Sequence, residues 1–180
     1  MPLRLFVALD LPDAVRHDLA TIAHGIPGAR WVPEENYHLT LRFIGAIEHW
    51  QAHDVDEALA GIRARPFELA LGGLGTFERQ GRVQALWVGV QRNEALALLQ
   101  SKVENALRRV GLESERRRFA PHVTLARTEA AEPAKIAAYM QRHNLFRSPA
   151  VRVDSFTLFS SHLGRECATY TPEVEYALAA

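Results

Sequence analysis

Alternation governs the first stretch of the chain. Leu3, Leu5, Val7 and Leu9 recur at every second position, which predicts a strand over 3–9 with one strongly apolar face. The period then lengthens. Val15, Leu19 and Ile22 form a helical stripe over about 12–24, with Asp10 as its expected cap and Pro12 at its start. Gly25 and the Pro27-Gly28 pair end it. A β-rich run over 37–44 closes at Gly45, and a helix follows over about 48–62 with Val55, Leu59 and Ile62 inward. Residues 67–71 predict a strand, the GGLG stretch at 72–75 a hairpin turn, and 83–90 another strand. Leu96, Leu99, Val103, Leu107 and Val110 mark a long helix stopped by Gly111. A strand over 122–126, a helix with Pro133 in its first turn and a strand over 151–160 come next. The last run, with Tyr170, Val174, Tyr176 and Leu178 alternating, predicts a half-exposed strand that Pro172 confines to a sheet edge.

Two strands in this order carry the same word. YHLTL at 37–41 returns as PHVTL at 121–125, and His122 stands 84 positions after His38. The same offset carries the helix near 12 onto the long helix and the helix near 48 onto that of Pro133. It also carries the strand at Phe67 onto the strand at Val151. The pattern predicts an α+β chain in which residues 1–180 form a single bilobal domain. Its two pseudo-symmetric halves carry mostly antiparallel sheets, with helices outside and a cleft between.

Bulk composition narrows the partners. The 180 residues suit one domain, 48% apolar and 23% charged, with Lys plus Arg equal to Asp plus Glu. Affinity for a polyanion therefore has to come from a local patch. Cys167 is the only cysteine, so neither an intrachain disulfide nor a Cys-cluster metal site is expected. The apolar start is too short to span a membrane and lacks the shape of a signal peptide. A cytoplasmic monomer is the expectation.

Period two sets the chemistry of the repeated word. His38 and Thr40 share one strand face while Leu39 and Leu41 take the other, and His122 and Thr124 stand likewise against Val123 and Leu125. Facing halves would bring two imidazoles and two hydroxyls to one cleft. That set can supply a base, an acid and donors to phosphoryl oxygens. A single such word is more often a structural histidine on a strand; the second copy in the equivalent place reverses those odds. No HExxH or carboxylate spacing accompanies either word, so no metal is expected, and no dinucleotide or ATP motif is present. His24, His49, His53, His143 and His162 are read as surface residues. In ERRRFAPHVTLAR, Arg116, Arg117, Arg118 and Arg127 are candidates for phosphate, although Arg127 needs a bulge after Leu125 to reach the cleft. Arg42 has the parity of His38 and is expected to reach it directly. Phe6, Phe43 and Phe119 are base-stacking candidates whose plainer role is core.

RLFVALDLP, NYHLTLRFIG, VQALWVGV, FAPHVTLAR and the FTLFSS…YTP ending resemble, in order, the RNA 2′,3′-cyclic phosphodiesterases of the two-histidine (2H) phosphoesterase superfamily. These are the proteins long called 2′-5′ RNA ligases. The resemblance implies the duplicated fold with its active site between the lobes. It also implies metal-independent opening of a terminal RNA 2′,3′-cyclic phosphate to a 2′-phosphomonoester, without cofactor. His38 would be the acid and His122 the base that activates water. Thr40, Thr124 and Arg127 would bind the phosphate; Arg42, Arg117 and Phe119 are further possible substrate contacts. Cys167 stands where relatives often have glycine, and Arg42 where many have another residue. The expected partners are RNA 3′ ends or nucleotides bearing the cyclic phosphate. Two alternatives are a 2′-5′ ligase acting on tRNA halves, as the reverse of ring opening, and a module that binds RNA ends without turnover.

Overall fold

The computed structural model describes residues 1–179. Its elements follow in the order β1 (Leu3–Asp10), α1 (Asp13–Ile22), β2 (Arg30–Trp31), β3 (His38–Ile47), α2 (His49–Ala60), β4 (Phe67–Leu69), β5 (Leu71–Arg79) and β6 (Arg82–Val90). Then come α3 (Glu94–Arg109), β7 (His122–Arg127), α4 (Pro133–His143), β8 (Val151–Val153), β9 (Ser155–Leu163) and β10 (Ala168–Ala177). One four-stranded sheet runs β10-β9-β1-β3, a second runs β2-β7-β6-β5, and β4 pairs with β8 in a short ribbon. Every pairing is antiparallel. The chain is therefore α+β. No helix among the described residues is long and apolar enough to cross a membrane.

The apolar stripes build one large core. Leu5, Val7 and Leu9 of β1, Val15 and Leu19 of α1, Val55 and Leu59 of α2 and the stripe of α3 join Val123 and Leu125 of β7 in a single cluster. Burying each such side chain contributes about 1.5–3 kcal/mol. Helix α3 is well delimited: the Asn93 side chain accepts from the Leu96 amide at 2.9 Å, and Gly111 turns away at φ +92°. Helix α4 covers the second sheet through Ile136 and Tyr139, which pack on Leu86.

Several local expectations are corrected. Asp10 does not cap α1, whose N-cap is Pro12 without a side-chain bond; the Asp10 carboxylate instead pairs with Arg16. GGLG is not a turn but lies inside β5, and the turn comes at Gln80 and Gly81, both at positive φ between the paired Arg79 and Arg82. Gly72 and Gly75 clear space for neighbouring side chains, whereas Gly73, at φ +78°, lies where the pairing with β6 slips. A Cβ on Gly75 would sit 2.2 Å from the indole ring of its cross-strand partner Trp87. Gly45 does not close β3; the strand passes through it as an irregularity at φ +85° and continues to Ile47. The runs expected over 67–71 and 151–160 are each split, at Ala70 and Asp154. Pro172 does lie on an edge strand, and the pairing of β10 slips just after it.

Candidate functional site

Each histidine of the repeated word is the first residue of its strand, His38 of β3 and His122 of β7. The two sheets meet along these strands. Leu39, Leu41, Val123 and Leu125 are buried in the core, so the opposite faces, with His38 and Thr40 or His122 and Thr124, border the space between the sheets.

The imidazoles are held alike. His38 Nδ1 lies 2.7 Å from the Asn36 carbonyl oxygen and His122 Nδ1 lies 2.6 Å from that of Ala120, two residues upstream in each case. A carbonyl only accepts, so both Nδ1 atoms carry the proton. Each neutral ring then keeps its lone pair on Nε2. Burial lowers the pKa of both rings. For His38 the Asn36 carbonyl and Asp10 oppose that shift, while the charges of His122 and Arg16 add to it. For His122 the opposing group is the Ala120 carbonyl. One imidazole thus feels the charge of the other.

Aromatic rings enclose both. Around His38 stand Phe6 at 4.9 Å between centroids, Tyr170 edge-on at 5.1 Å and Phe159 at 6.4 Å. Phe77 meets His122 edge-on at 4.7 Å, with Trp87 at 5.8 Å. The Trp87 indole N–H is buried without a hydrogen-bond partner. Burial raises the Tyr170 pKa, and the charge of Arg127 lowers it.

Two bulges decide where the arginines go. On β7, Thr124 pairs with Trp87 and Ala126 with Leu86, which leaves Leu125 as an extra residue. Leu125 and Ala126 both turn inward, and Arg127, paired with Ala85, regains the face of His122 and Thr124. On β3 the same event falls at Leu41: Thr40 pairs with Ala8 and Arg42 with Val7. The expectation for Arg42 is thereby reversed. It is only 8% exposed, donates from Nε to Glu104 at 2.6 Å, and bonds the carbonyls of Phe43 and Glu113. Phe43 takes the cleft face instead, 58% exposed and 6.0 Å from the Phe6 ring.

The remaining candidates do not join the histidines. Arg117 pairs with Glu115 and lines a groove shared with Arg42 and Glu113, away from the cleft face of β3. Phe119 packs against the main core. The sequence reading missed Tyr170, Phe77 and Trp87 as neighbours of the imidazoles, since strands far apart in the chain bring them there. Their only signal was an aromatic on the alternating face of a strand. Among the described residues no group of three or more His, Cys, Asp or Glu is gathered to hold a metal ion.

Comparison with known proteins agrees with this geometry. Residues 5–165 match the family model of the 2′-5′ RNA ligase superfamily. The RNA 2′,3′-cyclic phosphodiesterase of Aeropyrum pernix is 38% identical over 154 residues, covering 83% of this chain and 86% of that protein. The protein of the same name from Thermotoga maritima is 31% identical, with 89% of this chain and 88% of the relative covered. Among solved structures, E. coli LigT complexed with 3′-AMP superposes with a TM-score of 0.84 at 29% identity over 100% of both chains.

Proposed function

The chain belongs to the 2′-5′ RNA ligase superfamily, and from that membership and the chemistry of the cleft we propose that it hydrolyses terminal RNA 2′,3′-cyclic phosphates to 2′-phosphomonoesters. The observation that supports the reading is the pair of strand-leading imidazoles, each with Nδ1 on a carbonyl and its lone pair left on Nε2. The relatives named RNA 2′,3′-cyclic phosphodiesterase support the substrate class.

In this reading His122 Nε2 takes a proton from water as its oxygen bonds to phosphorus. The phosphorus–O3′ bond breaks, and His38 Nε2 gives its proton to O3′. Thr40 and Thr124 donate to the non-bridging oxygens, with Arg127 beside them neutralising their charge. Because burial favours the neutral imidazoles, the phosphate charge of the bound substrate is what keeps a proton on the acid. Ligation would be the same displacement with a 5′-hydroxyl in place of water: the P–O5′ bond forms as the P–O3′ bond breaks, His122 takes the hydroxyl proton and His38 protonates O3′.

We read the chain as one bilobal domain with duplicated halves, acting as a cytoplasmic monomer. The shared offset of 84 supports the duplication, since it carries the residues of β4 onto those of β8 and those of β5 onto β9. The test is incubation with a 2′,3′-cyclic-phosphate oligonucleotide in EDTA. Wild type is expected to release a 2′-phosphomonoester, and His38→Ala and His122→Ala to lose at least ~100-fold in kcat. Activity abolished by EDTA, or retained by either variant, would refute the mechanism.

A further inference from the structure

The cleft face of the second sheet is laid out in rungs. Nearest the strand start, His122 pairs with Gly89; next come Thr124, Trp87 and Gly75; the third rung is Arg30, Arg127, Ala85 and Phe77, one residue from each of four strands. Arg30 and Arg127 are direct cross-strand partners, so their side chains leave the same face, with Cβ atoms roughly 5 Å apart. Trp31 and Ala126, the next pair, turn to the core, which fixes the opposite direction for the arginines.

Like charges directly opposite one another in a sheet are destabilising. Here the protein does little to relieve them. The Arg30 side chain is 75% exposed; among the described residues its only carboxylate is that of Glu129, 3.6 Å away, and none pairs with Arg127. Arg127 serves the phosphate at Thr124, and the exposed Arg30 guanidinium, held only by a 3.6 Å contact to Glu129, remains available to an anion one rung beyond Thr124. That rung is the next position on the same face, two residues along β6 from Trp87 to Ala85, about 6.6 Å along the strand. Phe77, 40% exposed, closes the same rung with an apolar ring.

We propose that Arg30 is a specificity residue that binds the phosphodiester on the 5′ side of the terminal nucleotide and so selects RNA ends over cyclic mononucleotides. The inference rests on the proposed hydrolysis of cyclic phosphates, and it adds the direction in which the chain leaves the site. A nucleoside 2′,3′-cyclic phosphate has one phosphate, which occupies the rungs of the histidines and threonines. A dinucleotide ending in the cyclic phosphate has a second, and Arg30, beside Arg127 on the same rung, is where it meets positive charge.

The experiment compares kcat/KM for a dinucleotide ending in a 2′,3′-cyclic phosphate with that for the matching nucleoside 2′,3′-cyclic phosphate. Wild type is expected to prefer the dinucleotide, with a preference that weakens as salt is raised. In Arg30→Ala the preference ratio falls about tenfold, in Arg30→Glu further, and its salt dependence flattens. A ratio that is unchanged in both variants overturns the proposal, as does a wild type without preference. Calorimetric binding of the two 2′-phosphomonoester products, with the same variants, gives the ratio independently of turnover. Absence of hydrolysis with the ratio intact in binding would refute the reaction while leaving the phosphate subsite standing.

Discussion

Arg42 and Glu104 form an ion pair of 2.6 Å across the packing of β3 against α3, on the face opposite to His38. The other Glu104 oxygen accepts from the Glu115 amide at 3.0 Å, and Arg42 also holds the Glu113 carbonyl. The pair thus pins the loop that leads into β7. Removing one member leaves the other buried and unpaired. Arg42→Ala is expected to lower stability by about 3 kcal/mol, and Arg42→Met with Glu104→Met by clearly less, read as the shift of the urea midpoint.

Both imidazoles have lowered pKa values through burial. Base and acid work requires one neutral and one protonated ring, so kcat/KM should follow a bell whose limbs both lie on the acid side of the ordinary imidazole value, about 6.5. The substrate phosphate favours the charged ring, and the alkaline limb of kcat should therefore lie higher than that of kcat/KM. A profile flat across the imidazole range would count against the pair.

The same shifts enter folding. A lowered pKa means that the folded state binds fewer protons than the unfolded chain. The contribution is complete above the unfolded value of about 6.5 and is lost as pH falls through the folded values. His38→Gln should flatten the fall of the melting temperature between neutral and mildly acidic pH.

The absence of a side chain at Gly75 gives the Trp87 ring its room beside His122. Gly75→Ala sets a methyl against the indole and should displace it, costing about 1–3 kcal/mol in stability. Trp87 fluorescence would report the displacement, and kcat should fall with it. An unshifted emission spectrum with full activity would show that the ring needs no such clearance.

Replacing Thr40 or Thr124 by valine keeps shape and removes a donor. Each change should reduce kcat about 100-fold with a smaller effect on KM, and serine at the same position should restore most of the loss. Equal losses in valine and serine variants would point to the methyl group instead.

What could be read from the sequence was whatever depends on short-range period. Alternation exposed β1, and the stripe of α3 marked a long helix to within two residues of its observed ends. The shared faces of His38 with Thr40 and of His122 with Thr124 follow from the same rule. Arg42 and Arg127 were harder, because a single extra residue at Leu41 or Leu125 inverts all parity beyond it. Leucine at both bulges gives no local sign of the insertion; pairing with β1 and β6 creates it. Gly75 misled for a related reason, since its purpose is a Trp87 ring on the neighbouring strand. Tyr170 reaches His38 through three strand pairings, β10 on β9, β9 on β1 and β1 on β3.

The insertion of β9 between β10 and β1 also has a consequence for biosynthesis. Strand β1 is made long before β9, so one of its two edges stays unpaired until residues 155–163 have been translated and released from the exit tunnel. The antiparallel pair of β1 with β3 must wait with an apolar strand edge exposed while the residues from 48 to 163 are made. Cooperative closure then comes late, and nascent chains halted before β9 become natural clients for chaperones.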